Sequence, residues 1–157
     1  MVELALALML EDVSAEVARA FAVVVAEQKK NSTAFGDPIP KARAVADLNQ
    51  DTLPDCVVVF SYSVEGGIHG QEQFLSVVVS SSSGYIASWP VPVGARGYRD
   101  FREVEIDGTK ITLRGDFTVA DGTAAMAFLP ATGEVYYSYE GGKLREQGGS
   151  WIRKPGK

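Results

Sequence analysis

The chain has one cysteine, Cys56, and one histidine, His69. A lone cysteine excludes an intramolecular disulfide and a cysteine-rich zinc site. Cys56 heads the apolar run CVVVF, where the expected role is that of a small buried hydrophobe. Nucleophilic catalysis assisted by a histidine base would have to run through His69, which lies in a Gly-rich segment. Positive charge is also scarce, with 15 Lys and Arg against 20 Asp and Glu and a net charge of −5. Binding to a phosphate backbone depends on neutralising it with Lys and Arg, so nucleic acid is not an expected partner. The late basic residues Lys143, Arg145, Arg153, Lys154 and Lys157 have Glu140 and Glu146 among them and read as a solvated tail. Long apolar runs are missing too. Residues 4–10, LALALML, fall well short of the roughly 20 residues needed to cross a bilayer, so no membrane span is expected.

What remains is the composition of a folded chain: 157 residues, 46% apolar and 22% charged, near the common size of one domain. Residues 1–10 are either the remnant of an export segment or an extension of the helix that follows, and 11–157 form a single α+β domain. In EDVSAEVARAFAVVVAEQKKN, Val13, Val17, Ala20, Phe21, Val24 and Val25 recur at helical spacing and make one apolar stripe. Glu11 and Asp12 precede it and Lys29 and Lys30 close it, which suits the helix dipole.

NSTAFGDPIP, residues 31–40, reads as a loop by its Pro, Gly and polar content. The chain after it reads as strands at 42–46, 56–62, 73–81, 85–91, 101–106, 110–114, 124–129, 134–139 and 150–153. Asp107-Gly108 in EVEIDGTKITL predicts a type I′ hairpin turn, and SSSSGY and YEGGKL supply further turns. Short sequential strands and one amphipathic helix predict an N-terminal helix packed on a curved antiparallel β-meander.

Between the first two predicted strands stands ADLNQDTLPDCVVVF. Asp47, Asn49, Asp51 and Asp55 occupy relative positions 1, 3, 5 and 9, and the Leu53 carbonyl would fill position 7. These offsets turn successive oxygens toward a hard cation such as calcium. The glutamate that an EF-hand needs at position 12 is replaced by Val58 inside a strand, which rules out an EF-hand. D-x-N-x-D-x-x-x-D leading into an apolar strand resembles the calcium loops of FG-GAP and VCBS-type repeats. The wider order of helix, DLNxDxxPD loop, VVVF strand, FLSVVVS strand and VGxRGYR is similar to that of small bacterial exported proteins and lipoproteins without an assigned activity. That resemblance implies export to the periplasm or beyond, with a membrane anchor in the precursor as one form of it. Such loops usually carry Gly at positions 4 and 6, where this chain has Gln50 and Thr52. A β-branched residue is strained at positive φ. The same side chains could instead hold the loop by bonding its own amides.

Two other stretches exceed what a scaffold needs. SVEGGIHGQEQ, with His69, is either a binding loop or a flexible connection. VGARGYRDFR gathers Arg96, Tyr98, Arg99, Phe101 and Arg102, either as an interaction hot spot or as a strand end that pairs with its neighbours. Trp89, Trp151, Tyr136, Tyr137 and Tyr139 are expected to serve sheet packing. These readings favour a non-enzymatic, inhibitor-like or protein-binding module with a structural calcium loop. A metal-assisted hydrolase and a structural accessory domain are the alternatives, and a protein is the expected partner.

Overall fold

A computed structural model describes residues 14–31, 34–64, 71–95, 98–120 and 128–154. Residues 1–10 and Val13 therefore lie outside the described residues. The helix, α1, spans Ala15–Lys30. Ser14 caps it, its side chain accepting from the Val17 amide at 3.4 Å, so the helix begins after the Glu11–Asp12 pair. Its buried residues are Val17, Phe21, Val25 and Gln28. Each large apolar side chain buried in this way stabilises the fold by roughly 1.5–3 kcal/mol.

Nine strands follow among the described residues: β1 Ala34–Ala46, β2 Asp55–Val64, β3 Gln71–Ser81, β4 Gly84–Ala87, β5 Val91–Ala95, β6 Arg99–Asp107, β7 Lys110–Ala120, β8 Phe128–Glu140 and β9 Lys143–Arg153. They form one antiparallel sheet in the order β1-β2-β3-β5-β6-β7-β8-β9, with β4 paired to β3. The α+β arrangement of an N-terminal helix and an antiparallel sheet is thus the observed one. The sheet bends until β1 lies against β6.

The bend divides the interior in two. One face of β2 and β3 offers Cys56, Val58, Phe60, Tyr62, Phe74 and Val78 to α1. Here Phe60 meets Phe21 edge-on at 5.2 Å and stacks with Phe74 at 5.8 Å. The Tyr62 hydroxyl donates to the Val25 carbonyl at 3.4 Å, fastening the helix. The other face sends Val57, Val59, Leu75 and Val77 into the concave side of the sheet, beside Phe101, Ile111 and Leu113. Strands covered on both faces need continuous apolar runs, which is what CVVVF and FLSVVVS supply.

Several boundaries differ from the sequence expectation. The predicted loop at 31–40 is strand from Ala34 onward. β1 is an end strand of the sheet, where a proline costs little, and its ladder shifts register between Phe35 and Ile39 and between Pro40 and Ala42. The predicted strand at 85–91 is two strands, β4 and β5, separated by Ser88, Trp89 and Pro90. At the break Ser88 bonds back to β3, its amide donating to the Val77 carbonyl at 2.7 Å and its hydroxyl oxygen accepting from the Val77 amide at 2.9 Å.

The predicted strands at 124–129 and 134–139 join as β8 where they are described, running through Gly133. A side chain at Gly133 would come within 2.7 Å of the Phe117 ring, so glycine serves strand packing there. The predicted strand at 150–153 begins earlier, as β9 from Lys143, and the basic residues Lys143, Arg145 and Arg153 on it are exposed. In the β6–β7 hairpin Asp107 pairs with Lys110, which makes Gly108-Thr109 the central residues rather than Asp107-Gly108. Gly108 sits at φ +58° and Thr109 is not at positive φ, as in a type II′ turn. Type I′ geometry belongs to Gly141-Gly142, at φ +56° and +78° between Glu140 and Lys143.

Candidate functional site

The acidic loop, residues 47–54, joins β1 to β2. Leu48, 1% exposed, is its apolar foot in the concave core. The backbone turns through positive φ at Gln50 (63°) and Thr52 (71°), the two positions where calcium loops of this spacing usually carry glycine. Both residues accept a conformation that L side chains disfavour by roughly 1–2 kcal/mol, so other contacts must hold the turn.

Those contacts are made by the candidate ligands. Asp47 accepts from the Asp51 amide at 3.0 Å and the Thr52 amide at 2.9 Å. Asn49 accepts from the Asp51 amide at 3.1 Å, and Asp51 accepts from the Leu53 amide at 2.8 Å. Asp55, fully buried, receives the amides of Leu48 (2.7 Å), Asn49 (3.1 Å) and Ser80 (2.8 Å) and the Ser80 hydroxyl (3.1 Å). Three backbone amides, with a hydroxyl proton that Asp51 shares, surround the carboxylate, so Asp55 acts here as the bond between the loop and β3.

Ser80 was not visible as a member of the site from local spacing, because it arrives from β3, 25 residues after Asp55. Its hydroxyl also donates to Asp51, and the Asn49 side-chain amide reaches Asp51 at 3.1 Å and the Ser80 carbonyl at 3.0 Å. The Ser80 hydroxyl, followed by the Leu53 amide, holds the Asp51 carboxyl below its ordinary range.

The donor set suits calcium in kind, with three carboxylates, one amide oxygen and one carbonyl on a loop that turns at positions 4 and 6. Its side chains are directed at the loop's own N–H groups, and among the described residues no three of His, Cys, Asp or Glu converge as a metal-holding group. Loading would therefore require Asp47, Asn49 and Asp51 to exchange amide bonds for the ion. Asp55 is the member most strongly committed to protein donors.

The second candidate surface lies at the other end of β2 and β3, which at about 3.3 Å per residue is roughly 30 Å away. Ser63 pairs with Gln71, Glu72 with Ala95 and Gln73 with Gly94. The strands that bracket residues 65–70 and residues 96–98 are therefore neighbours. His69 and Arg96 themselves, like Glu65, lie outside the described residues.

Tyr98 is 53% exposed, with its backbone fixed: its amide bonds Ala95 at 3.1 Å and its carbonyl takes the Thr118 amide at 2.9 Å. Arg99 is turned the other way. Its guanidinium reaches both Glu146 oxygens at 3.4 Å and lies 5.9 Å from the centre of the Phe117 ring. The Tyr137 hydroxyl donates to the same glutamate at 2.9 Å.

Buried Gln73 organises this end. It donates to Asp100 at 2.7 Å and accepts from the Phe101 amide at 2.8 Å, clamping β3 to β6 across β5. Its signal in the sequence was a polar residue at the head of an apolar run. Of the aromatics expected in the sheet, Tyr137 is buried, while Trp89 and Trp151 are about half exposed.

A cleft of about 590 Å³ opens on β6–β9, bordered by Arg102, Arg114, Asp116, Thr132, Glu134 and Ile152. At its border Arg114 pairs with Glu105 and Glu134, and Asp116 with Lys154 and Arg102. No protein-family model matches the chain, and no curated protein or solved structure does either. Among the described residues no helix is long and apolar enough to cross a membrane.

Proposed function

We propose that this chain is a non-enzymatic protein-binding domain of an exported protein, with a structural calcium loop at one end of its central hairpin and a recognition surface at the other. The observation that carries the proposal is the pair of left-handed residues Gln50 and Thr52, at the two turning positions of a D-x-N-x-D-x-x-x-D loop. A loop that turns left-handed at positions 4 and 6 follows the backbone path of such calcium loops, and this one keeps that path although neither residue is the glycine that would adopt it without strain.

Asp47, Asn49, Asp51 and the Leu53 carbonyl are the residues that would hold the ion, with Asp55 as the anchor to β3. Calcium would supply charge neutralisation and stiffness, not catalysis. Tyr98, exposed on a fixed backbone beside the neighbouring ends of β3 and β5, is the centre of the recognition surface. Loops carried on a rigid sheet are where binding residues collect. Arg99 supports that end through Glu146, and its fork is engaged within the fold.

Calcium titration by calorimetry tests the first half, with saturable heat expected for the wild type and none for Asp51→Ala. For the second half, Tyr98→Ala should unfold as cooperatively as the wild type and lose capture of the native partner. Capture that persists in the folded variant places recognition elsewhere.

A further inference from the structure

The two ends of the sheet are finished differently. β1 is guarded by Pro38 and Pro40, by two register shifts and by its position against β6. β9 pairs only with β8 among the described residues, and ten of its eleven residues are exposed. The Lys154 amide bonds the Pro130 carbonyl at 3.0 Å. Alternation along an antiparallel ladder then directs the N–H and C=O groups of Gly149 and Trp151 away from β8, toward the open edge. Such an edge is a template for another strand.

Its charge selects what can be added. In a chain of net charge −5, residues 143–154 carry Lys143, Arg145, Arg153 and Lys154 against Glu146, with Lys154 also paired to Asp116 at 2.7 Å. A second copy pairing antiparallel about Gly149 would set Arg145 opposite Arg153, on either side of the register shift that β9 itself makes at Gln147. Like charges directly across a ladder are destabilising, so the edge resists its own kind. An acidic strand meets the opposite condition. Ile152, 76% exposed, and Trp151, 48% exposed, point to opposite faces and give apolar neighbours on both sides of an added strand.

We infer that the open edge of β9 takes an extended acidic segment of a partner polypeptide as an additional antiparallel strand. This surface is separate from the Tyr98 turn and does not require calcium, so it can fail while the proposed function stands. The probe is a synthetic peptide that alternates Glu with Val, compared at low salt with the same peptide carrying Lys for Glu. Binding is followed by fluorescence anisotropy, and backbone protection by hydrogen exchange on the full chain.

The acidic peptide should bind, slow exchange at Gly149 and Trp151 at least tenfold, and weaken as salt rises, while the Lys peptide should not bind. Charge reversal at exposed Lys143 and Arg145 (K143E with R145E) should reduce affinity for the acidic peptide at least tenfold; K143Q with R145Q serves if the reversed chain does not fold. The inference is overturned if the acidic peptide does not bind, if it binds without protecting those two amides, or if it binds the charge variants as well as the wild type.

Discussion

The hairpins β2–β3 and β8–β9 use the same antiparallel ladder in opposite surroundings. From Asp55 to Tyr62 and from Gln73 to Ser80 every residue is buried, with α1 on one face and the bent sheet on the other. β9 is exposed along nearly all its length, and β8 alternates between core residues such as Val135 and Tyr137 and outward ones such as Glu134 and Tyr136. The first hairpin is the structural centre and carries both candidate sites at its ends. The second is exposed along β9, which pairs only with β8 among the described residues. Stability should therefore concentrate in β2–β3, and substitutions can test that division.

The largest loss is expected for Phe60→Ala, which empties the centre of the aromatic cluster under α1 and should cost about 3–5 kcal/mol in denaturant unfolding. Asp55→Ala follows at about 3 kcal/mol, since it leaves buried donors from Leu48 and Ser80 without an acceptor. Gly108→Val comes next, because a β-branched residue is forced to φ +58°, and roughly 1–2 kcal/mol should be lost. Thr52→Gly should change stability in the opposite direction, raising it by about 0.5 kcal/mol once the left-handed strain is relieved and glycine's extra chain entropy is subtracted. Trp151→Ala should stay within about 0.5 kcal/mol. A Trp151 loss as large as that of Phe60 would erase the contrast between the hairpins.

The same contrast predicts a pH dependence. Burial pushes the Cys56 thiol from 9.0 up to about 11 and the Tyr62 hydroxyl from 10.0 up to about 12. A folded-state value above the unfolded one means that the folded chain holds the proton more tightly. The associated stability is complete below about pH 9 and falls as pH rises through 11 to 12. Denaturant midpoints measured from pH 8 to pH 12 should decline, and Tyr62→Phe should flatten the upper part of the decline.

The legible parts of the fold were those encoded locally. The α1 stripe, the two apolar runs and the Gly141-Gly142 turn follow from periodicity and Gly placement, whereas the β6–β7 turn lies one residue later than predicted. The parts missed depend on distant neighbours. A proline-rich segment became strand because it lies at the end of the sheet, and the predicted strand at 150–153 extends back to Lys143 because β8 offered an unpaired edge. In the acidic loop the sequence showed the oxygens and the strained positions, whereas Ser80 and the role of Asp55 as an anchor emerged only when β3 was folded against the loop. The strands that flank the Gly-rich and Arg-rich segments pair, Glu72 with Ala95, while residues 65–70 and 96–97 lie outside the described residues.

The most direct test of the calcium clasp is thermal unfolding of the wild type and Asp51→Ala, each in millimolar calcium and in chelator. Binding confined to the native state adds about 2.7 kcal/mol at a ligand concentration 100 times Kd, so the wild-type midpoint should rise by several degrees in calcium and that of Asp51→Ala should not. A wild-type midpoint that is the same in calcium and chelator would contradict the account and leave the loop as a turn held by its own hydrogen bonds.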